Sequence, residues 1–243
     1  MKVAAIIQAR MGSTRLQGKI LKKVLDKTLL EYQIERVKRA KSIDEIIIAT
    51  TTKESDDQIV QLCQQLSIPY YRGSEEDVLS RYFEAATQFN ADVIVRLTSD
   101  CPIIDPNVID KVVTHYLENK DRYDYVSNTL TRTYPRGLDT EVMSYKVLKR
   151  AHEEAKETAY REHVTAYIYH HPDQFRLCNV SNEMDESRHR WTVDTEEDFL
   201  LIQNILETLY PINPLFTLED VIRILRDKPE WAEINAHIEQ KKL

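Results

Sequence analysis

Apolar positions along the chain fall into two alternating kinds of run. Short β-branched stretches at 3–8, 45–50 and 92–96, with similar patches near 68–71 and 123–128, have the length and composition of strands. Between them, 29–40, 55–66, 78–89 and 107–117 carry apolar residues three and four positions apart, the spacing of one helix face. Strand alternating with helix predicts an α/β protein with a mostly parallel sheet covered on both faces. Such sheets take ligands at the carboxyl ends of their strands, so the loops after Gln8, Thr50, Tyr71 and Arg96 are expected to share one edge.

The pattern loosens after about residue 123. An antiparallel insertion over 123–141, helices at 144–156 and 161–170, a hairpin-like pair at 175–180 and 188–193, and helices at 195–209 and 217–226 are expected. No low-complexity linker divides the halves and no fixed-period repeat stands out, which predicts one domain over 1–243 with an inserted segment near 123–190 and C-terminal helices over 195–243.

Composition narrows the class. At 243 residues, with 42% hydrophobic and 30% charged side chains, the chain can bury a core without a metal or disulfide staple. A formal charge of −7 excludes a large nucleic-acid footprint, so any phosphate must meet a local basic site. Cys63, Cys101 and Cys178 lack CxxC spacing, as in a reducing compartment. The N-terminus lacks a basic leader, and no stretch approaches the roughly 20 apolar residues of a membrane span. A cytoplasmic protein without membrane insertion is expected.

One basic loop stands out. In MKVAAIIQARMGSTRLQGKIL, Gly12 and Gly18, two of only four glycines, sit among Arg10, Arg15 and Lys19. Five residues separate the glycines and Ile20 follows the lysine, so this is not a P-loop, and GxGxxG is absent. A long glycine-flanked loop after a strand can offer successive N–H groups and two cations to a di- or triphosphate; a solvated surface loop is the bland alternative. Asp100, in VRLTSDCPIID, and Asp194, in RWTVDTEEDF, are candidate metal ligands, while a turn role for the first and an N-cap for the second fit equally. Asp198 is a ligand candidate too, or a residue favouring a helix dipole. Thr50 to Thr52 offer hydroxyls to a base or ribose edge, or caps to the next helix. In YYRGSEEDVLSRY, Ser74 fits a cap and Arg81 is expected to pair with a nearby acid. Arg188 and Arg190 flank the run to Asp194, where they could neutralise phosphate.

The whole stretch IIQARMGSTRLQGKIL resembles the N-terminal signature of the cytidylyltransferases that activate acidic sugars as CMP-sugars, in particular the spore coat polysaccharide biosynthesis protein SpsF branch. That family shows a similar strand, an Ala-Arg pair and Ser-x-Arg-Leu-Pro-Gly-Lys; Gln17 stands here at the proline. The family's Asp-x-Pro loop and late Asp-Thr-x-x-Asp segment resemble the sequences at Asp100 and Asp194. The resemblance implies a Rossmann-like, doubly wound sheet of the nucleotide-diphospho-sugar transferase type. It further implies magnesium-dependent transfer of CMP from CTP to an acidic sugar, nonulosonic or Kdo-like, releasing pyrophosphate, for surface or spore coat polysaccharide.

Carried over residue by residue, Asp100 and Asp194 would hold the metal, with Arg15, Lys19 and Asp100 catalytic. Ala9, Arg10, Gly12, Ser13, Arg15 and Lys19 would bind the nucleotide, joined at the base end by Thr50, Arg72, Ser74 and Asp77. TYPRGLDTEV and REHVTAYIY resemble sugar-facing blocks, which implies Arg136, Asp139, Glu141, Arg161 and His163 as sugar ligands. A homodimer is implied as well. Two rivals stand beside this reading: a GT-A type glycosyltransferase, although Asp-Cys-Pro at Asp100 lacks its DxD, and a non-catalytic nucleotide-binding protein of polysaccharide assembly.

Overall fold

The computed structural model describes residues 1–240. β1 (Val3–Gln8) leads through a long loop to a ribbon, β2 (Lys23–Val24) and β3 (Lys27–Thr28), and then α1 (Leu29–Val37). The alternation continues with β4 (Glu45–Thr51), α2 (Asp57–Gln65), β5 (Tyr70–Gly73), α3 (Val78–Gln88), β6 (Val93–Thr98) and α4 (Pro106–Asn119). There follow β7 (Tyr125–Ser127), β8 (Glu141–Ser144), α5 (Tyr145–Glu154), α6 (Thr158–Glu162), α7 (Ala166–His170) and β9 (Leu177–Asn179). Helices α8 (Glu196–Leu209), α9 (Leu218–Asp227) and α10 (Pro229–Glu233) complete the order.

The expected α/β architecture is present. The main sheet runs β5-β4-β1-β6-β8-β7-β9, and every strand points the same way except β8, antiparallel to both neighbours. Successive residues of a strand face opposite sides, and the core divides accordingly. Ala5, Ile7, Ile46, Ile48 and Val95 pack with residues of α1, α2 and α4; Ala4, Ile6, Ile47, Ala49 and Ile94 pack with residues of α3 and α5. Burial on both faces explains why these strands read as continuous apolar runs. From β1 the sheet grows one way through β4 and β5 and the other way through β6, so the switch point of the winding falls between β1 and β6.

Local chemistry sets the helix starts. Thr28 and Glu31 form a reciprocal capping box on α1, and Asp105 caps α4 ahead of Pro106, each cap contributing about 1 kcal/mol. Asp105 also accepts from the Leu218 N–H at 2.6 Å, tying the start of α9 to that of α4.

Several expected elements differ. The strand near 68–71 begins at Tyr70, because Ile68 N–H donates to Cys63 C=O at 2.8 Å and closes α2 through Ser67 at φ +53°. The helix over 161–170 is broken at Val164, φ +24°, into α6 and α7. The hairpin of 175–180 with 188–193 does not form: β9 pairs parallel to β7, and the later segment makes one isolated parallel bridge, Arg136 to Arg190. The antiparallel element expected over 123–141 appears as β7 against β8, extending the main sheet. The β2–β3 ribbon was not foreseen.

Gly137 adopts φ +102°, and a Cβ there would lie 2.6 Å from the Trp191 carbonyl carbon, where the 136–137 backbone presses on the run leading to Asp194. Gly137→Ala is expected to lower stability by at least about 1–3 kcal/mol, read from urea unfolding. An unchanged midpoint would mean that this run is free to retreat.

Candidate active site

The basic loop is shaped by its own backbone and one buried acid. Met11 C=O accepts from Ser13 N–H at 2.9 Å and Gly18 N–H at 3.1 Å, and Gly18 takes φ +64°, which favours glycine. Asp56, buried behind the loop, accepts from Met11 N–H at 2.7 Å and from the Thr51 hydroxyl. Arg10 pairs with Glu75 at 3.6 Å, and Lys53 pairs with the same carboxylate.

Asp100 and Asp194 come together beside this loop. Ser99 N–H donates to Gln8 C=O at 3.1 Å, holding the loop after β6 to the end of β1. Asp100 C=O accepts from Val193 N–H at 2.8 Å and from the Thr192 hydroxyl at 3.3 Å, which delivers Asp194 to the same place. Lys19 Nζ lies 2.7 Å from Asp194 Oδ1 and 3.5 Å from Asp100 Oδ2. Asp194 Oδ2 meets Arg15 Nη2 at 2.9 Å and Arg190 Nη2 at 2.8 Å. Burial pulls the Lys19 pKa down, but Asp100 and Asp194 outweigh it and leave the pKa raised. Burial alone would lift Asp100, yet Lys19, with hydrogen bonds from Thr98 and Cys101, holds its pKa below the usual value.

Asp198 is fully buried and faces Arg190, with Nε at 2.9 Å, while its other oxygen accepts from the Asp194 and Thr195 N–H groups. It starts α8 and braces Arg190, which aims at Asp194. Arg190 is therefore bound to these two acids and, through Nη1, to Gln240 Oε1 at 2.6 Å.

A cavity of about 980 Å³ opens at this edge. Its wall includes Ala9, Arg10, Gly12, Ser13, Arg15, Lys19, Asp100 and Asp194 from the expected set, and adds Gln8, Arg81, Glu162, Glu239 and Gln240. The remaining candidates stand outside that wall. Thr50 is fully buried in β4, its hydroxyl without a partner among the described residues. Arg72 bonds to Thr51 C=O, Lys53 C=O and Asp57. Ser74 Oγ accepts from Asp77 N–H, and Asp77 caps α3 while Arg161 grips it with Nε and Nη2. Asp139 is held by Arg132 in two bonds, and Glu141 by Arg96 at 2.9 Å and the Thr165 hydroxyl. His163 ends α6. Arg136 makes no ion pair among the described residues.

Arg81 departs from expectation: no carboxylate lies within ion-pair distance of it among the described residues, although it is 1% exposed. Nothing local in its sequence context signals this, since Glu75, Glu76 and Asp77 all stand nearby in the chain.

Two hard carboxylates converging on one cation suit magnesium, which takes one or two such ligands and fills its octahedron with water and phosphate oxygens. Among the described residues no cluster of three or more His, Cys, Asp or Glu offers a dedicated metal cage.

A family model described as cytidylyltransferase matches residues 4–233. The chain belongs to the cytidylyltransferase family. Spore coat polysaccharide biosynthesis protein SpsF of Bacillus subtilis is 33% identical over 234 residues, 93% of this chain and 95% of its own. The 3-deoxy-manno-octulosonate cytidylyltransferase of Chlamydia trachomatis is 33% identical over 145 residues, 58% of this chain and 55% of its own. The solved structure of a cytidylyltransferase from Leptospira borgpetersenii superposes with a TM-score of 0.92 at 33% identity, covering all of both chains. The family resemblance seen in the sequence is thus borne out, and the protein is a nucleotidyltransferase rather than a glycosyltransferase or a non-catalytic binder. Among the described residues, no helix of this cytidylyltransferase is long and apolar enough to cross a membrane.

The shared cation gives a pH signature. With its pKa raised, Lys19 contributes fully below the ordinary value of 10.5 and loses that contribution as pH climbs through the raised value. With its pKa depressed, Asp100 contributes fully above 3.8 and loses that as pH falls through the depressed value. Lys19→Met is expected to cost about 1–3 kcal/mol at neutral pH, a loss that shrinks toward about pH 4 as Asp100, deprived of the ammonium, takes up a proton. Urea unfolding across this range checks it; a loss that does not vary with pH would leave the ammonium a packing role only.

Proposed function

We propose that this cytidylyltransferase transfers CMP from CTP to a hydroxyl of an acidic sugar, nonulosonic or Kdo-like, releasing pyrophosphate for surface or spore coat polysaccharide synthesis. The observation that carries this reading is the convergence of Asp100 and Asp194 on Lys19 beside the glycine-flanked loop.

In this reading the loop N–H groups near Gly12 and Ser13, with Arg15 and Lys19, hold the β and γ phosphates by charge-assisted bonds. Ala9 and Arg10 line the nucleotide's path, and Thr50 on β4, Arg72 on β5, and Ser74 and Asp77 ahead of α3 would frame the base end. Magnesium held by Asp100 and Asp194 would neutralise charge on the phosphate oxygens and favour the deprotonated sugar hydroxyl. Arg190 keeps Asp194 aimed through two acids at once, and the Val193 to Asp100 backbone bond fixes the spacing of the pair. The attacking hydroxyl approaches the α-phosphate, and pyrophosphate leaves toward Arg15 and Lys19, which stabilise its developing charge.

An acidic acceptor is supported by Arg136. Burial lowers its pKa and the neighbouring Arg132 lowers it further; Asp139 opposes them and Arg190 adds to them, and no carboxylate among the described residues lies within ion-pair distance of it. A sugar carboxylate would supply the bidentate partner that a guanidinium fits. Asp139, Glu141, Arg161 and His163 would shape the same sugar side. The family relatives include an enzyme named for 3-deoxy-manno-octulosonate, an acidic sugar. Free Cys63, Cys101 and Cys178 accord with a cytoplasmic enzyme, and a homodimer completes the reading.

Pyrophosphate release from CTP and magnesium, measured across a panel of acidic and neutral sugars, is the direct test. Acidic sugars should be preferred, and Asp100→Asn or Lys19→Ala should lower kcat/KM by about 100-fold or more. Undiminished turnover by either variant at saturating magnesium would overturn the assignment.

A further inference from the structure

The segment that follows α10 returns to the cavity. Trp231 and Ile234 pack against the core that α8 and α9 share with the run to Asp194, and Ile238 N–H donates to Asn235 C=O at 3.0 Å. This turn leaves Glu239 and Gln240 in the cavity wall. Asn235 and Gln240 lie past residue 233, where the family match ends.

Asn235 is 2% exposed. Its Nδ2 donates to Arg190 C=O at 2.9 Å and to Asp198 Oδ1 at 2.8 Å, so one amide holds both the backbone of Arg190 and the carboxylate that grips its side chain. Asp198, fully buried, then collects donors from Arg190 Nε and Nη2, from Asn235, and from the Asp194 and Thr195 N–H groups. A carboxylate taken out of water needs such saturation, and a donor removed leaves it under-satisfied.

Gln240 acts on the other side of the same guanidinium. Arg190 Nε and Nη2 face the acids, and Nη1 donates to Gln240 Oε1 at 2.6 Å. A planar fork held along both edges cannot pivot, so Nη2 stays 2.8 Å from Asp194 Oδ2. Asp194 also pairs with Arg15 and Lys19, the two cations that the proposed reaction turns toward phosphate. When phosphate enters, Arg190 is left to keep Asp194 in place.

We infer that Asn235 and Gln240 are positioning residues: they hold Arg190, and through it Asp194, where that carboxylate can meet a divalent cation carried by the phosphates. This rests on the proposed metal-dependent reading of the acidic pair. It makes the segment after α10 a working part of the site, although Asn235 acts only through Arg190 and Asp198.

The test compares wild type, Asn235→Ala, Gln240→Met and Gln240→Glu. Gln240 is exposed, so its variants are expected to keep the wild-type urea midpoint even where loss of buried Asn235 lowers it. Calorimetry measures binding of magnesium tripolyphosphate and of tripolyphosphate in EDTA. Wild type should prefer the magnesium form. Asn235→Ala and Gln240→Met should weaken that form by about 10-fold or more and leave the metal-free form unchanged. The magnesium needed for half-maximal pyrophosphate release from CTP should rise by a similar factor. Gln240→Glu, which keeps an acceptor for Nη1, should stay within a few-fold of wild type. Equal losses for both forms in a folded variant, or binding indifferent to Gln240→Met, would overturn the inference, as would a wild type that binds both forms alike. Absence of CTP turnover in wild type, with magnesium-dependent binding intact and sensitive to both positions, would instead count against the proposed reaction and leave this assignment standing.

Discussion

The site depends on holding two like charges together. Asp100 and Asp194 would repel one another, and three devices keep them in place: a backbone bond from Val193 to Asp100, the shared ammonium of Lys19, and the guanidinium of Arg190, itself anchored on buried Asp198. Remove any of these and the carboxylates gain from moving apart or taking up a proton. The same concentration of negative charge that makes the region unstable alone makes it a place for a cation, whether the protein's own ammonium or a metal ion.

The fold supplies the stage for this balance. At the switch point between β1 and β6 the connecting loops diverge and leave an open edge where polar groups can face a ligand without breaking the core. β1 contributes the basic loop, β6 contributes Asp100, and a non-strand segment threaded past Arg136 contributes Asp194. Because β1 is buried on both faces, its carboxyl end is a rigid reference from which the loop departs.

What was legible in the sequence follows from what is local. β1, β4 and β6 read clearly because burial on both faces leaves uninterrupted apolar runs, and the basic loop read clearly because its glycines and cations are contiguous. The run 188–193 was mistaken for a strand: its Trp-Thr-Val pattern is apolar, but its backbone partners are single loop residues, Arg136 and Asp100, rather than a ladder. Ile68 looked like strand because it is β-branched, whereas its amide is consumed in ending α2. Asp56 acts through Met11, 45 residues away in the chain, whereas Arg190 binds Asp194 and Asp198, four and eight residues on, a pairing that the sequence spacing alone does not declare. Arg81 is harder still, since no carboxylate among the described residues pairs with it, and three acids shortly before it in sequence suggested the opposite.

The Lys19 to Asp194 contact joins positions 175 apart in sequence. Loops of that span close late, because their entropy must be overcome before the contact returns anything. During synthesis, which proceeds from the N-terminus, the basic loop and the first parallel strands emerge long before the segment that neutralises them. A ribosome-bound chain can thus assemble β1, β4 and β6 while Lys19 and Arg15 remain uncompensated by Asp194. Competence to bind substrate is among the last properties the nascent protein acquires, and the helices that follow Asp194 arrive as the closing side of the same event.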